Sequence, residues 1–184
     1  MTRKTCRVGR RYRALSLALL VAGASGALAV SAASPPLGSL SAAEDHRVSR
    51  LGEADSLALV ALYDATRGDS WSSNANWKSG PVSSWFGVIS LSGKVVGLNL
   101  SNNGLSGIIP SELGDLVDLQ SLRLPYNQLV GSIPTDIGRL VELSELDLSW
   151  NELSGAVPPA IGNLSSFIDL ELIGNQTCWL SPEK

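Results

Sequence analysis

Three consecutive stretches of this chain superpose at a spacing of 24 residues: LNLSNNGLSGIIPSELGDLVDLQS from Leu98, LRLPYNQLVGSIPTDIGRLVELSE from Leu122 and LDLSWNELSGAVPPAIGNLSSFID from Leu146. A fixed period of this length makes each copy one supersecondary unit that cannot bury its apolar side alone, so the copies must stack into a coil. A fourth, degenerate copy, LELIGNQTCWLSPEK, opens at Leu170 with Leu172, Asn175 and Pro182 in phase.

The positions that recur have physical meanings. Apolar side chains return at Val95/Leu119/Leu143/Phe167, Leu98/Leu122/Leu146/Leu170, Leu100/Leu124/Leu148/Leu172 and Leu105/Leu129/Leu153, with Ile109/Ile133/Val157 and Leu113/Ile137/Ile161 on the far side of each turn. The alternation at the opening leucines is that of a short strand with one buried face, so successive strands are expected to stack as a parallel sheet. Asn103, Asn127, Asn151 and Asn175 recur where the strand turns into the body of the coil. An amide there has two donors and an acceptor to satisfy backbone groups of its own turn and the next, so this column is read as a structural ladder. Gly107, Gly131 and Gly155 suit tight turns needing positive φ or close approach, and Pro110, Pro134 and Pro158 suit extended segments that give up a backbone donor.

The pattern LxLxxNxLSGxIPxxLGxLxxL resembles the leucine-rich repeat of the plant-specific subclass, over residues 95–175. The resemblance implies an α/β solenoid: an arc with short parallel strands on its concave face. Upstream, residues 53–94 contain an amphipathic stretch, 53–67, with Ala54, Leu57, Ala58, Ala61 and Leu62 on one stripe, Glu53 and Asp55 in the first turn and Gly68 as a stop. Trp71, Trp77, Trp85 and Phe86 follow among polar residues and are expected to form a lid over the first rung, since an open solenoid end exposes apolar surface. This segment is similar to the family's N-terminal cap. The plant form implies two cysteines around the tryptophan motif, whereas Ser83 and Ser90 stand here, as in the cysteine-free caps of bacterial and algal members; the cap is expected to hold by packing.

Residues 1–33 read as a signal peptide: six basic residues precede a 17-residue apolar run, Ala14 to Val30, followed by small residues. The alternative is a retained membrane anchor, for which the run is short. Residues 34–52, rich in Ser, Pro, Gly and Ala and holding the only histidine, His46, read as a flexible linker. Beyond residue 33 there are 17 acidic and 8 basic side chains, a formal net charge of −9, which argues against nucleic acid as a partner. The remainder is expected to be one domain that is secreted, extracellular or periplasmic. Residues 176–184 read as a C-terminal cap or a truncated end, with Cys178 either a buried capping thiol or half of a pair whose partner is elsewhere. Of the sequons at Asn99, Asn163 and Asn175, Asn163 on the convex side is the best candidate for glycosylation.

Function must come from the positions that the repeat leaves free. Residues 24 apart sit on neighbouring rungs roughly 4.8 Å apart, which defines four outward columns. These are Asn99/Arg123/Asp147/Glu171, Ser101/Pro125/Ser149/Ile173, Asn102/Tyr126/Trp150/Gly174 and Gly97/Ser121/Glu145/Asp169. Tyr126 and Trp150 therefore lie side by side, near an expected Arg123–Asp147 pair and an acidic group of Glu145, Asp147, Asp169 and Glu171. Exposed Trp, Tyr and Arg are the commonest anchors of interfaces, so these seven residues form the candidate binding face for a protein, peptide or glycan. Pro125, lacking a donor, is expected to disturb its rung locally. No nucleophile–base constellation, metal-ligand spacing or cofactor motif occurs, and carboxylates on an exposed strand face gain little of the desolvation that acid–base catalysis requires, so no enzymatic activity is expected. The competing reading is a cell-envelope or adhesion module in which the repeats act as a spacer.

Overall fold

The computed structural model describes residues 54–166 and 169–178. The expected leader, the linker with His46, Phe167 and the end from Trp179 with Pro182 lie outside the described residues, and the side chains of Cys178 and Asn163 are also outside the description.

Among the described residues a single α-helix, α1 (residues 54–65), precedes the repeats. Its buried stripe is Asp55, Ala58, Leu59, Leu62 and Tyr63, continued by Thr66 in the turn that follows, and is rotated from the expected one: Ala54 and Leu57 face solvent and Ala61 is half-buried. The shift has two causes. Leu59 and Tyr63 outweigh the alanines in apolar area, and the Asp55 carboxylate turns inward, its Oδ2 accepting from the Val95 N–H at 2.8 Å. The left-handed residue after the helix is Arg67 (φ 58°), not Gly68. Gly68 is required for another reason: a Cβ there would lie 2.2 Å from the Tyr63 ring.

Tyr63, Trp71, Trp77 and Trp85 form one aromatic cluster, with centroids 4.8 Å apart for Trp71–Trp77 and 5.1 Å for both Tyr63–Trp71 and Trp77–Trp85. Each indole N–H donates to a backbone carbonyl, of Thr66, Phe86 and Ser79 respectively, so the rings are buried without an orphaned donor. Phe86 departs from the expectation: its side chain is outside the cluster and the residue is 42% exposed, and it serves the cap through its backbone, whose carbonyl accepts from Trp77 and whose N–H donates to the Ala75 carbonyl. Ser83 is exposed and Ser90 half-buried, with the tryptophan cluster in the place of a covalent link.

The sheet begins with a hairpin. β1 (Val88–Leu91) runs antiparallel to β2 (Lys94–Asn99) across Ser92-Gly93, both at positive φ (51° and 79°), the geometry that matches strand twist in a two-residue turn. β4 (Ser121–Arg123), β6 (Glu145–Asp147) and β8 (Asp169–Glu171) then add in parallel, giving the order β1-β2-β4-β6-β8. Pairing is between residues 24 apart, as Leu98↔Leu122↔Leu146↔Leu170. The inward leucines of the first three rungs are buried in one continuous core, and Leu170 and Leu172 are half-buried against it.

A second parallel sheet, absent from the sequence reading, is made by β3 (Ser106–Ile108), β5 (Gln128–Gly131), β7 (Glu152–Ala156) and β9 (Gln176–Cys178). Gly107, Gly131 and Gly155 have the expected positive φ but bend these strands rather than lie in turns. Short 3-10 turns at Ser111–Asp115, Thr135–Arg139 and Pro159–Asn163 close each coil. Pro110 and Pro134 precede theirs with the extended backbone expected.

The asparagine ladder differs in direction from the expectation: each amide serves its own turn and the preceding rung, not the next. Asn127 Oδ1 accepts from the Asn103 and Leu105 N–H groups, and its Nδ2 donates to the carbonyls of Leu100, Leu124 and Pro125. Asn151 and Asn175 repeat this with Leu129 and Leu153. Asn175 is half-buried rather than buried.

Candidate functional site

The sheet register brings the seven sequence-derived residues onto three neighbouring strands and the turns just beyond them. Ser121, Glu145 and Asp169 face one another in one column, and Arg123, Asp147 and Glu171 in the next. Like charges therefore stand directly opposite one another at Glu145/Asp169 and Asp147/Glu171, an arrangement that costs stability. Together with Asn99 and Ser101 these side chains line a shallow depression of about 240 Å³.

The expected Arg123–Asp147 pair is not formed. Arg123 turns diagonally to Glu145, with Nε and Nη2 at 2.7 and 2.6 Å from Oε1, and Ser121 Oγ donates to Oε2 at 3.0 Å. Glu145 holds the guanidinium above its ordinary pKa, first through this hydrogen bond and then by its charge. Asp147 is otherwise occupied: its Oδ1 accepts from both the N–H and the Oγ of Ser149. Asn99 does the same for Ser101. On the rung between them stands Pro125, which has no N–H to satisfy. That absence frees position 123 from the capping role and allows it to carry arginine. Pro125 does not disturb the ladder, because the donors that cross the rungs belong to Leu124 and Tyr126, bonded to the carbonyls of Asp147 and Ser149. The signal was present in the sequence as Asn-x-Ser, Arg-x-Pro and Asp-x-Ser in the same phase.

Three residues past each strand, Tyr126 and Trp150 stack with centroids 5.9 Å apart and planes 7° from parallel. They remain 59% and 52% exposed. Both have left-handed backbone, φ 57° and 55°, as do Asn102 and Gly174 in the same column. Trp150 lies against the bare Gly174 backbone, where a Cβ would come 2.8 Å from the indole Cε3. The side-chain carboxylates of Asp169 and Glu171 make no hydrogen bond or ion pair among the described residues, their backbones being bonded in the sheet. No group of three or more His, Cys, Asp or Glu side chains is placed to hold a metal ion among the described residues. No helix among them is long and apolar enough to cross a membrane.

Parallel strands at a fixed period, a backbone-satisfying asparagine ladder and an aromatic cap define a leucine-rich repeat solenoid. The leucine-rich repeat family model matches residues 94–116, 118–140 and 142–164, and the chain belongs to this family, in its plant-type form. Similar solved structures include the BIR2 ectodomain from Arabidopsis thaliana, with 32% identity over 67% of this chain and 68% of that one and a TM-score of 0.62. A plant ice-binding protein shows 30% identity over 68% and 41% of the two chains, with a TM-score of 0.62. The ectodomain of the Arabidopsis receptor kinase HAESA, in complex with an IDA peptide hormone, shows 30% identity over 70% and 22%, with a TM-score of 0.60. The chain thus spans less than half the length of the last two. No curated protein matches it.

Proposed function

We propose that this chain is a secreted, non-catalytic recognition module that takes a protein or peptide on the concave face of its five-stranded sheet, with Tyr126 and Trp150 as anchors. The observation that carries the reading is the conformation of this pair. Left-handed backbone suits Gly or Asn, and for a bulky residue it costs on the order of 1–3 kcal/mol. Stacking two rings returns about 0.5–1.5 kcal/mol. A column that the fold fills well with Asn102 and Gly174 instead carries two half-exposed aromatics, a choice that stability does not reward and that binding does.

Columns that change residue from rung to rung suit a ligand with varied side chains better than a periodic surface. The like-charge pairs across β6 and β8 favour a charged polypeptide over a neutral glycan. The HAESA ectodomain, of related architecture, is a structure with a bound peptide hormone. The test is affinity capture from the extracellular fraction of the source, with the protein beside a Tyr126→Ala/Trp150→Ala variant of unchanged fold. Partners held by the first and lost by the second are expected; capture indifferent to the substitutions sinks the reading.

A further inference from the structure

Resting on that reading, we infer that the occupant of the concave face is an extended basic segment of a partner protein, its arginine or lysine side chains on Asp147, Asp169 and Glu171 and an adjoining side chain on the Tyr126–Trp150 stack. The argument is one of charge complementarity beside an aromatic anchor. Of the five basic side chains among the described residues, four are in ion pairs: Lys78 with Asp64, Lys94 with Asp118, Arg123 with Glu145 and Arg139 with Asp115. The fifth, Arg67, lies at the end of α1, away from the sheet's outward face. Arg123 is the only cation on that face among the described residues, and both oxygens of Glu145 are taken up by Arg123 and Ser121.

Asp169 and Glu171 are then left without a counter-charge, and Asp147, opposite Arg123 and within its field, makes no ion pair with it. Asp169 is exposed, Glu171 half-buried, and Asp147 keeps Oδ2 free of any bond among the described residues. The fold gains nothing from setting them opposite one another; a guanidinium or ammonium placed between β6 and β8 would turn the repulsion into attraction. The stack lies three residues downstream, within about 10 Å along the backbone, so an extended segment of a few residues spans both. Rings that are half-exposed also offer a face or edge to a second cation or an apolar side chain.

The experiment measures binding of three labelled, unstructured peptides of equal length to the full protein: a Gly/Ser chain spaced with arginine, the same with lysine, and the same with glutamate. Arginine and lysine peptides are expected to bind roughly tenfold or more tighter than the glutamate peptide, with affinity falling as salt rises. Asp169→Asn/Glu171→Gln, isosteric and on the surface, is expected to remove most of the preference, and Tyr126→Ala/Trp150→Ala to weaken the basic peptides. No preference for the basic peptides, including no binding by any, or a preference that the Asn/Gln variant retains, overturns the inference. The capture experiment separates the two failures. Partners lost with the aromatic variant but kept by Asp169→Asn/Glu171→Gln leave the recognition reading standing and the basic occupant wrong; partners kept by both remove the face as a site.

Discussion

Asn103 and Ser73 hold each other through both ends of one amide. Asn103 Oδ1 accepts from the Ser73 N–H at 2.7 Å and its Nδ2 donates to the Ser73 carbonyl at 2.8 Å, across 30 residues of chain. On later rungs the same side chain reaches back to the previous repeat. On the first there is none, and the cap loop takes its place, so the ladder joins cap to solenoid with a single residue type.

Replacing Asn127 by Leu orphans the buried Asn103 and Leu105 N–H groups and the Leu100 carbonyl, while the Leu124 and Pro125 carbonyls keep their bonds from Asn151 Nδ2 and the Asn102 N–H. At 1–3 kcal/mol for each unsatisfied group, with partial relaxation, a loss of about 3 kcal/mol or more is expected. Chemical denaturation measures it; an unchanged midpoint would contradict the ladder.

Asp55 couples stability to pH. Burial raises its pKa from the ordinary 3.8, opposed by the Val95 hydrogen bond. A folded-state pKa above the unfolded one means that the folded protein binds more protons, so this contribution is complete below pH 3.8 and is lost as pH rises through the raised value. Asp55→Asn keeps an acceptor for Val95 and is expected to flatten that part of the melting-temperature profile. Asp55→Ala leaves the N–H unpaired and should cost about 1–3 kcal/mol at neutral pH.

Trp150→Asn exchanges a strained aromatic for a residue at home in left-handed backbone. Strain relief of order 1–3 kcal/mol against lost stacking of about 0.5–1.5 predicts stability between nearly unchanged and raised by about 2 kcal/mol. A thermal melt showing a large loss would make the ring a core element rather than a site.

Gly68→Ala sets a methyl group against the Tyr63 ring, with Cβ only 2.2 Å from its Cγ. Because Tyr63 is packed on Trp71 and Trp77, it cannot yield freely, and overpacking of about 1–3 kcal/mol is expected. Near-ultraviolet circular dichroism of the tryptophan cluster should change with it.

Pro125→Ser introduces an N–H on the one rung where position 123 offers no side-chain acceptor. A cost of up to about 1 kcal/mol is expected, part of it recovered when Arg123→Asn is added. Additive single-substitution effects in a double-mutant cycle would show that Arg123 and Pro125 are not linked as the neighbouring rungs imply.

The sequence alone determined the solenoid, its period, the inward leucines and the columns of outward residues, because a 24-residue repeat forces equivalent positions into register and a short strand has only two faces. Side chains that bind locally to their own rung, such as the ladder asparagines, were legible for the same reason, although not the direction in which they reach. What only the tertiary structure decided were relations across rungs and between cap and coil. Arg123 bonds Glu145, which Ser121 also holds, rather than Asp147, whose Oδ1 is taken by Ser149; α1 rotates to bring Asp55 to Val95 and Leu59 into the core; and the glycine kinks carry a second sheet. Each of these is a competition between partners distant in sequence, settled by geometry that exists only once the coils are stacked.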